Sequence, residues 1–515
     1  MQSIDRRNIQ ASWDGHVLGL DGPGDCRLEI GLDGSRLVDV RTDAEGHALL
    51  ELPYSPSGRA ALSLQVTAID QSVDVPGLAL SIEVGRTEGL PLSGQPATAA
   101  EPAPIGDNLP ATAQPMQPEV AIVIPVYNAA AAVKRCLDSV LANSSGRCRL
   151  IVIDDASTEP GIAPMLAGYQ GIAGVEILSN PVNLGFTATV NRGMSLAGQA
   201  DVVLLNADTE VASCWLTGLR RAAYSSTDTA TATAVSDNAG AFSVPELEQE
   251  NVLPAGWTFA QTARAHWQTA GHAYPVLPTG NGFCMYIRRS ILDEIGLFDV
   301  EAFPQGYGEE NDFCQRACAA GYRNVIAGNV LVRHARSLSF GSERREALGR
   351  AGMQVLRQRW PDYEADVGKQ LFSFERRVLD WRVRRIHALA AQYVPLPRLL
   401  QFCSQANPAP MSGYDTRLLA ASGNGLCLDG KVVAQREPGG SPAGNQTRVS
   451  SLLEDYAIEL VEIEQGMNPD LIDLLQCQAD RLGIPVLSLP AGEYATFAQR
   501  ETALQSLNRF ERLKP

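Results

Sequence analysis

Residues 202–208 read Val-Val-Leu-Leu-Asn-Ala-Asp, an apolar run that ends in Asn206-Ala207-Asp208. The run suits a buried strand of a parallel sheet, and ligands of such sheets collect at the carboxyl ends of the strands. An acid released there can reach a divalent cation, and the cation can hold a diphosphate. An Asx-rich turn leaving a strand has the same composition, so the choice rests on what else the chain brings to that edge. Ile124-Pro125-Val126-Tyr127-Asn128 ends an earlier apolar run. Pro125 closes the predicted strand and Tyr127 offers a ring for stacking on a base. Asp154-Asp155-Ala156-Ser157 ends another. Its paired carboxylates either accept hydrogen bonds from a base N–H and ribose hydroxyls or cap the helix that follows. Asn183-Leu184-Gly185-Phe186 and Asn191 stand near a helix start, where Gly185 permits close backbone approach and the helix N-terminus favours an anion.

Further along, Glu309, Glu310 and Asp312 open a predicted helix over 310–320. Glu310 shares a stripe with Cys314 and Ala317, which turns it inward; acids in a first turn also stabilise a helix through its dipole. His334 ends a predicted strand over 330–333. Trp257 and Trp267 either stack on sugar rings in a groove or pack in the core.

The elements that must carry these loops alternate regularly. Strands are predicted over 120–124, 150–153, 175–178 and 202–205, with helices over 129–141, 161–169 and 186–197 between them. That alternation demands parallel strands and right-handed crossovers, so Pro125, Asp154 and Asn206 should open on one edge. The rest of the 515 residues divides around this α/β core. Residues 1–95 show short alternating stretches that suggest a small antiparallel β-sandwich. Residues 96–118 are Pro/Ala-rich and read as a linker, and the core runs over 119–375. Residues 376–403 form a basic helical segment, in which Arg376, Arg377, Arg382, Arg384 and Arg385 present either a solvated face packed on the domain or a membrane-surface stripe. Residues 404–515 read as a partial α/β domain, with strands over 458–463 and 485–489 about a helix over 469–482.

A net charge of −16 argues against a nucleic-acid partner. The start, MQSIDRRNIQASW, holds no apolar stretch of signal-peptide length, and no run reaches the roughly 18 apolar residues of a spanning helix. The ten cysteines form no CxxC pair and read as reduced, buried thiols of a cytoplasmic protein.

Taken in order, Ile-Pro-Val-Tyr-Asn, Ile-Asp-Asp-Ala-Ser, Asn-x-x-Asn-Leu-Gly-Phe and Leu-Leu-Asn-Ala-Asp-Thr-Glu resemble the nucleotide-sugar-binding half of inverting family 2 glycosyltransferases of the GT-A fold. Thr279-Gly280-Asn281-Gly282-Phe283, Ile295-Gly296-Leu297-Phe298-Asp299 and Gly306-Tyr307-Gly308-Glu309-Glu310-Asn311-Asp312 resemble the acceptor-side segment of the bacterial rhamnosyltransferase-like group. So does the segment from Ser236-Asp237-Asn238 to Ser243-Val244-Pro245. The resemblance covers about residues 119–375. It implies a Rossmann-like, mostly parallel GT-A sheet and a donor site of Pro125, Tyr127, Asn128, Asp154, Asp155, Asn183, Gly185, Asn191 and Asn206. Asp154 and Asp155 would lie at the base and ribose. Asp208 takes the metal-ligand place of the DxD motif, with Asn206 where the first Asp stands. His334 completes the site for Mn²⁺ or Mg²⁺. An inverting transfer needs a carboxylate to take the acceptor's proton as the diphosphate leaves; the motif puts Glu310 in that place, with Asp312 the second choice.

The implied partners are a nucleotide-diphosphate sugar donor and a glycan or lipid-linked glycan acceptor in bacterial surface polysaccharide synthesis. The implied location is cytoplasmic, with peripheral contact at the inner membrane surface. Residues 458–489 resemble the first Rossmann half of GT-B glycosyltransferases, a fragment to which no activity is assigned. Asn206 also motivates a competing reading, a catalytically inactive GT-A module acting as a glycan-binding scaffold. A sugar nucleotidyltransferase calls for a Gly-rich loop bearing Lys or Arg after the first core strand, and residues 125–132 hold no basic residue.

Overall fold

The computed structural model describes residues 119–335 apart from 145–147 and 271–273, then 342–390 and 394–403, and separate stretches within 9–106 and 413–489. Near the N-terminus, β1 (Gln10–Trp13), β2 (Val17–Asp21), β3 (Arg27–Leu32), β4 (Ser35–Arg41), β5 (His47–Glu51), β6 (Arg59–Ala68) and β7 (Leu78–Gly85) form two antiparallel sheets, in orders β1-β2-β5 and β4-β3-β6-β7. Alternation with period two sends Leu18 and Leu20 of one sheet, and Leu28, Ile30, Leu64 and Val66 of the other, into one apolar cluster. Within the stretch expected to be linker, β8 (Ala103–Gly106) instead pairs in parallel with a strand of the C-terminal sheet.

The core follows the expected alternation: β9 (Val120–Val126), α1 (Ala130–Asn143), β10 (Cys148–Asp154), α2 (Ile162–Ala167), β11 (Val175–Ser179), α3 (Phe186–Leu196) and β12 (Asp201–Leu205). It continues through β13 (Thr209–Glu210), α4 (Trp215–Ala223), β14 (Thr229–Ser236), α5 (Phe259–Thr269), β15 (Cys284–Ile287), α6 (Arg289–Ile295), α7 (Glu309–Ala319) and β16 (Arg323–His334). The eight-stranded sheet has the order β11-β10-β9-β12-β15-β14-β16-β13. Its first four strands are parallel, whereas β15 runs antiparallel to both of its neighbours. The central strands are apolar without alternation because both faces are covered. Pro125 lies inside β9 rather than after it. Val126 turns its carbonyl toward β10, so Pro125 turns toward β12, whose pairing has already ended at Val123 and where no ladder bond is lost.

Three helices follow: α8 (Ser342–Arg359), α9 (Tyr363–Leu371) and α10 (Phe374–Leu389). The last packs on the domain, as one of the two readings has it, but its arginine face is solvated only in part: Arg377 and Arg384 are half-buried. Arg376, Arg382 and Arg385 are buried, and Trp381 enters the N-terminal apolar cluster. Arg376 donates to the carbonyls of Ala241 (2.6 Å) and Ser243 (2.7 Å) and to Asp380 (3.0 Å), and Arg382 donates to the Ala270 carbonyl (2.7 Å). Stems packed in protein and heads spent on carbonyls make this helix a strut between the N-terminal sheets and the core.

The C-terminal strands β17 (Arg398–Phe402), β18 (Asp415–Ser422), β19 (Gly425–Leu428), β20 (Lys431–Glu437), β21 (Leu460–Glu464) and β22 (Val486–Leu489) join β8 in a mixed sheet, β22-β21-β17-β18-β19-β20-β8. The helix Pro469–Leu482, capped by Asn468 and ended by left-handed Gly483, connects the parallel pair β21 and β22. This part docks on α5: Arg264 meets Glu459 at 3.0 Å and Trp267 Nε1 donates to the Ala457 carbonyl at 3.3 Å. Among the described residues no helix is long and apolar enough to cross a membrane.

Candidate active site

The carboxyl ends of β9 and β12 open into a cleft of about 500 Å³. Pro125, Tyr127, Asn128, Asp155, Asn183, Gly185, Asn206, Asp208, Glu310 and His334 all line it, so the strand-end motifs meet as the alternation requires. Asp154, Asn191 and Asp312 stand outside the lining.

The Asn206–Asp208 exit is a turn that also presents an acid. The Asn206 carbonyl accepts from Thr209 N at 3.2 Å and Thr209 Oγ1 at 2.7 Å, which folds β12 tightly into β13. Pairing of β13 with β16 sets Thr209 opposite His334, and Ala335 N donates to the Asp208 carbonyl at 3.1 Å. Backbone ladders therefore hold Asp208 and His334 side by side, with His334 Nε2 3.4 Å from Asp208 Oδ1. The other ring nitrogen, Nδ1, lies 3.1 Å from the Asn238 carbonyl and donates to it, which turns Nε2 toward Asp208. The imidazole stacks on Phe283 at 5.3 Å between centroids, and its backbone N donates to Asp237 Oδ1 at 3.0 Å. Two donors each about 2.1 Å from one ion stand roughly 3.0–3.4 Å apart. An oriented imidazole beside a carboxylate thus fits a shared divalent cation. Among the described residues no group of three or more His, Cys, Asp or Glu is placed to hold a metal ion.

The adjacent acids Asp154 and Asp155 have different tasks. Asp154 Oδ1 accepts from Ser157 N at 3.0 Å, a local turn bond. Asp155 is buried, and its Oδ1 accepts from Asn180 Nδ2 (2.7 Å) and Leu184 N (2.8 Å) while its Oδ2 accepts from Gly185 N (2.9 Å). Asp155 thereby ties the loop before α3 to the end of β10. Gly185 sits at φ 85°, and a Cβ there would stand 2.5 Å from the Pro304 carbonyl. Asn128, at φ 59°, spends its side-chain oxygen on Thr158 N (2.8 Å) and Glu159 N (2.9 Å). Asn183 donates to the Asp155 carbonyl at 3.2 Å. Asn191 was expected at the donor. Instead it pairs with both backbone groups of Phe298, at 2.8 and 3.1 Å, and anchors the segment that leads to α7.

On the opposite wall, α7 begins at Glu309, one residue before its predicted start. Glu310 Oε1 lies 3.5 Å from Gly282 N, while Oε2 is buried and meets no donor among the described residues. Glu309 is 2% exposed. Burial first, then the adjoining Glu310 carboxyl, push the Glu309 carboxyl well above its ordinary 4.5. Burial thus favours the neutral form of Glu309, and Glu310, the more exposed member, meets the cleft.

That shift has a consequence for stability. The unfolded chain releases the Glu309 proton near about 4.3, so above that pH the folded state binds more protons and stability falls as pH rises toward the folded value. Glu309→Gln keeps a neutral hydrogen-bonding side chain. Its Tm is expected to gain on wild type as the pH rises above about 4.3, and a gap that stays constant with pH rules the shift out.

Asp312, the second choice for base, is a clamp. It is 1% exposed; Oδ1 accepts from Arg359 Nη1 and Trp360 Nε1, both at 3.1 Å, and Oδ2 accepts from Arg316 Nε at 3.0 Å. Two residues along a helix is a turn of about 200°, which carries Asp312 away from the Glu310 face. Asp312→Ala is expected to lower the urea midpoint by about 1–3 kcal/mol of stability, part of the deficit being met by water at the half-exposed arginines. Its transfer rate should stay within about tenfold of wild type, where loss of a base costs far more.

Trp267 is buried, lies under Arg221 at 4.8 Å and packs rather than lining the cleft; Trp257 is half-buried and also outside it. Sequence reasoning gave no role to Gln305 and Tyr307, which line the cleft. Gly306, Tyr307 and Gly308 all have positive φ (91°, 69° and 144°), and a Cβ on Gly352 of α8 would stand 1.7 Å from the Tyr307 carbonyl. No Lys or Arg lines the cleft among the described residues.

A cleft at the carboxyl edge of a mostly parallel sheet, with an Asp–His pair on one wall and a half-buried glutamate on the other, has the form of a group-transfer site. Residues 121–296 match the family model for glycosyl transferase family 2. No curated protein matches the chain. Among solved structures, the mannosyltransferase PcManGT from Pyrobaculum calidifontis, in complex with GDP-Man and Mn²⁺, is 16% identical with a TM-score of 0.35, over 55% of this chain and 80% of that one. GalNAc-T7 with UDP, GalNAc and Mn²⁺ is 16% identical with a TM-score of 0.37, over 56% of this chain and 59% of that one.

Proposed function

We propose that the core is a metal-dependent, inverting glycosyltransferase of family 2 that moves a sugar from a nucleoside-diphosphate donor to a glycan acceptor, in the synthesis of a bacterial surface polysaccharide. The observation that carries the reading is the composition of the cleft: it brings together an oriented Asp208–His334 pair and an unpartnered Glu310 oxygen, on a core of family 2 pattern. A diphosphate entering a cleft lined by Asp155, Asp208 and Glu310, and among the described residues by no Lys or Arg, meets unfavourable charge. Asp208 and His334 would hold Mn²⁺ or Mg²⁺, which when bound neutralises the leaving diphosphate.

The chain's own residues do the rest. Tyr127 gives a ring to the base, and the loop fixed by Asp155 shapes the floor beneath the ribose. Glu310 accepts the acceptor hydroxyl's proton as that oxygen bonds to the anomeric carbon and the sugar–diphosphate bond breaks. Protonated Glu309 beside it adds no second negative charge.

Thermal shift of the full chain against a panel of nucleotide sugars, with and without Mn²⁺, tests the reading. One donor should raise Tm, and only with the metal. Asn206, which leaves the metal pair with one carboxylate, favours the inactive-scaffold alternative; a panel in which no donor raises Tm would decide for it.

A further inference from the structure

Among the described residues, the glycines that line the cleft are Gly185, Gly282 and Gly306. The backbone asks for glycine at two of them, since Gly185 and Gly306 hold φ values of 85° and 91°. Gly282 lies outside that left-handed region. Packing does not ask for it either. Apart from its own chain neighbours, the three heavy atoms nearest to a Cβ built there would be Phe186 Cζ at 3.4 Å, Phe186 Cε1 at 3.8 Å and Glu310 Oε1 at 4.0 Å. These are ordinary contact distances, and both side chains line the cleft. Alanine would fit the folded chain and restrict the unfolded one, so stability alone would favour it. Gly280, two residues back, gives the contrast: its Cβ would stand 2.8 Å from Met285 Sδ and 3.2 Å from Cys314 Sγ, both in the core.

What the missing side chain keeps open is therefore space in the cleft. One wall of that space is the half-buried Phe186 ring, from the first turn of α3; the other is the Glu310 carboxylate, from the first turn of α7. A phenyl face across a gap from a carboxylate suits a sugar, whose ring has an apolar face and whose edge carries hydroxyl donors. We propose, resting on the transferase reading, that Gly282 is a specificity-determining residue: its missing Cβ makes room for the transferred sugar between Phe186 and Glu310. The helix α3 follows the loop fixed by Asp155, on the nucleotide side, and α7 carries the base. The sugar that must touch both sides is the one that moves between them. A methyl group at residue 282 would take up room that the sugar needs while leaving the nucleotide's own wall untouched.

The test compares UDP-glucose, UDP-galactose, UDP-N-acetylglucosamine, GDP-mannose and dTDP-rhamnose with bare UDP, GDP and dTDP, by thermal shift and calorimetry of the full chain in Mn²⁺. In wild type, at least one nucleotide sugar is expected to bind more tightly than its own diphosphate. Gly282→Ala should bind that nucleotide sugar at least about tenfold more weakly, the scale on which a fitted pocket rejects one extra methylene, and bind the bare diphosphate as wild type does. Its unliganded Tm should equal or exceed that of wild type, which separates loss of space from a folding defect. Gly280→Ala should do the reverse, lowering the unliganded Tm and keeping the sugar's advantage. A wild type in which no sugar adds to its diphosphate, an unchanged advantage in Gly282→Ala, or an equal loss in Gly280→Ala would each overturn the role of Gly282 and leave the transferase reading standing. A wild type that binds none of these nucleotides would remove that reading, and the sugar subsite with it.

Discussion

Glu310→Gln is expected to lose about 10²- to 10⁴-fold in transfer rate, the ordinary contribution of a positioned general base, with donor affinity kept. The size of the loss depends on whether another carboxylate can take over, and each neighbour is committed. Glu309 is buried, and that burial pushes its carboxyl well above the ordinary carboxylate range. Both Asp312 oxygens are taken by Arg316, Arg359 and Trp360 on the far side of α7. Asp155 holds Asn180, Leu184 and Gly185. Gln has the shape of Glu and its amide oxygen can keep the Gly282 contact, so the wall should stay in place. Glu310→Asp should fall between the two, because shortening the reach by one methylene misplaces the oxygen by about 1 Å, enough for a loss of order 10²-fold. Initial rates with saturating donor and acceptor, beside calorimetric donor binding, give the answer. A wild-type rate in Glu310→Gln would remove Glu310 from the chemistry.

The cleft wall built from strand ends was legible because a change from apolar run to Asp, Asn or Gly marks a strand end, and parallel strands must end on one edge. What spacing does not encode is which of two neighbouring side chains turns inward. Asp154 and Asp155 look alike in a string, yet consecutive residues leaving a strand point to opposite sides, and only Asp155 lines the cleft. Asn128 and Asn191 carry the right chemistry for a ligand but are spent on backbone groups far away in sequence, at Thr158 and Glu159 and at Phe298. The α10 arginines read as a surface stripe because their partners are carbonyls, which leave no trace in the pattern. The turn at Gly306–Gly308 has the same origin. Its positive φ values go with the close approach of Gly352 from α8, more than forty residues on.

Asp208→Asn and His334→Ala are expected to abolish the Mn²⁺-dependent gain in donor binding, leaving each variant in Mn²⁺ equivalent to wild type in chelator. Loss of a residue that merely orients a metal ligand costs about 10- to 100-fold in metal affinity, and loss of a ligand itself should exceed that. The variants differ in what they leave. Asp208→Asn keeps the turn, because Thr209 bonds the Asn206 backbone rather than the Asp208 side chain, but it removes the cleft's charged ligand to the ion. His334→Ala keeps that carboxylate and empties the stack against Phe283, so its Tm without ligand should fall while that of Asp208→Asn should not. The cleft offers a diphosphate no Lys or Arg among the described residues. Donor affinity measured across a Mn²⁺ titration therefore separates two designs. A site in which Asp208 and His334 form only an ion pair would bind donor equally well in chelator, and both variants would then behave as wild type.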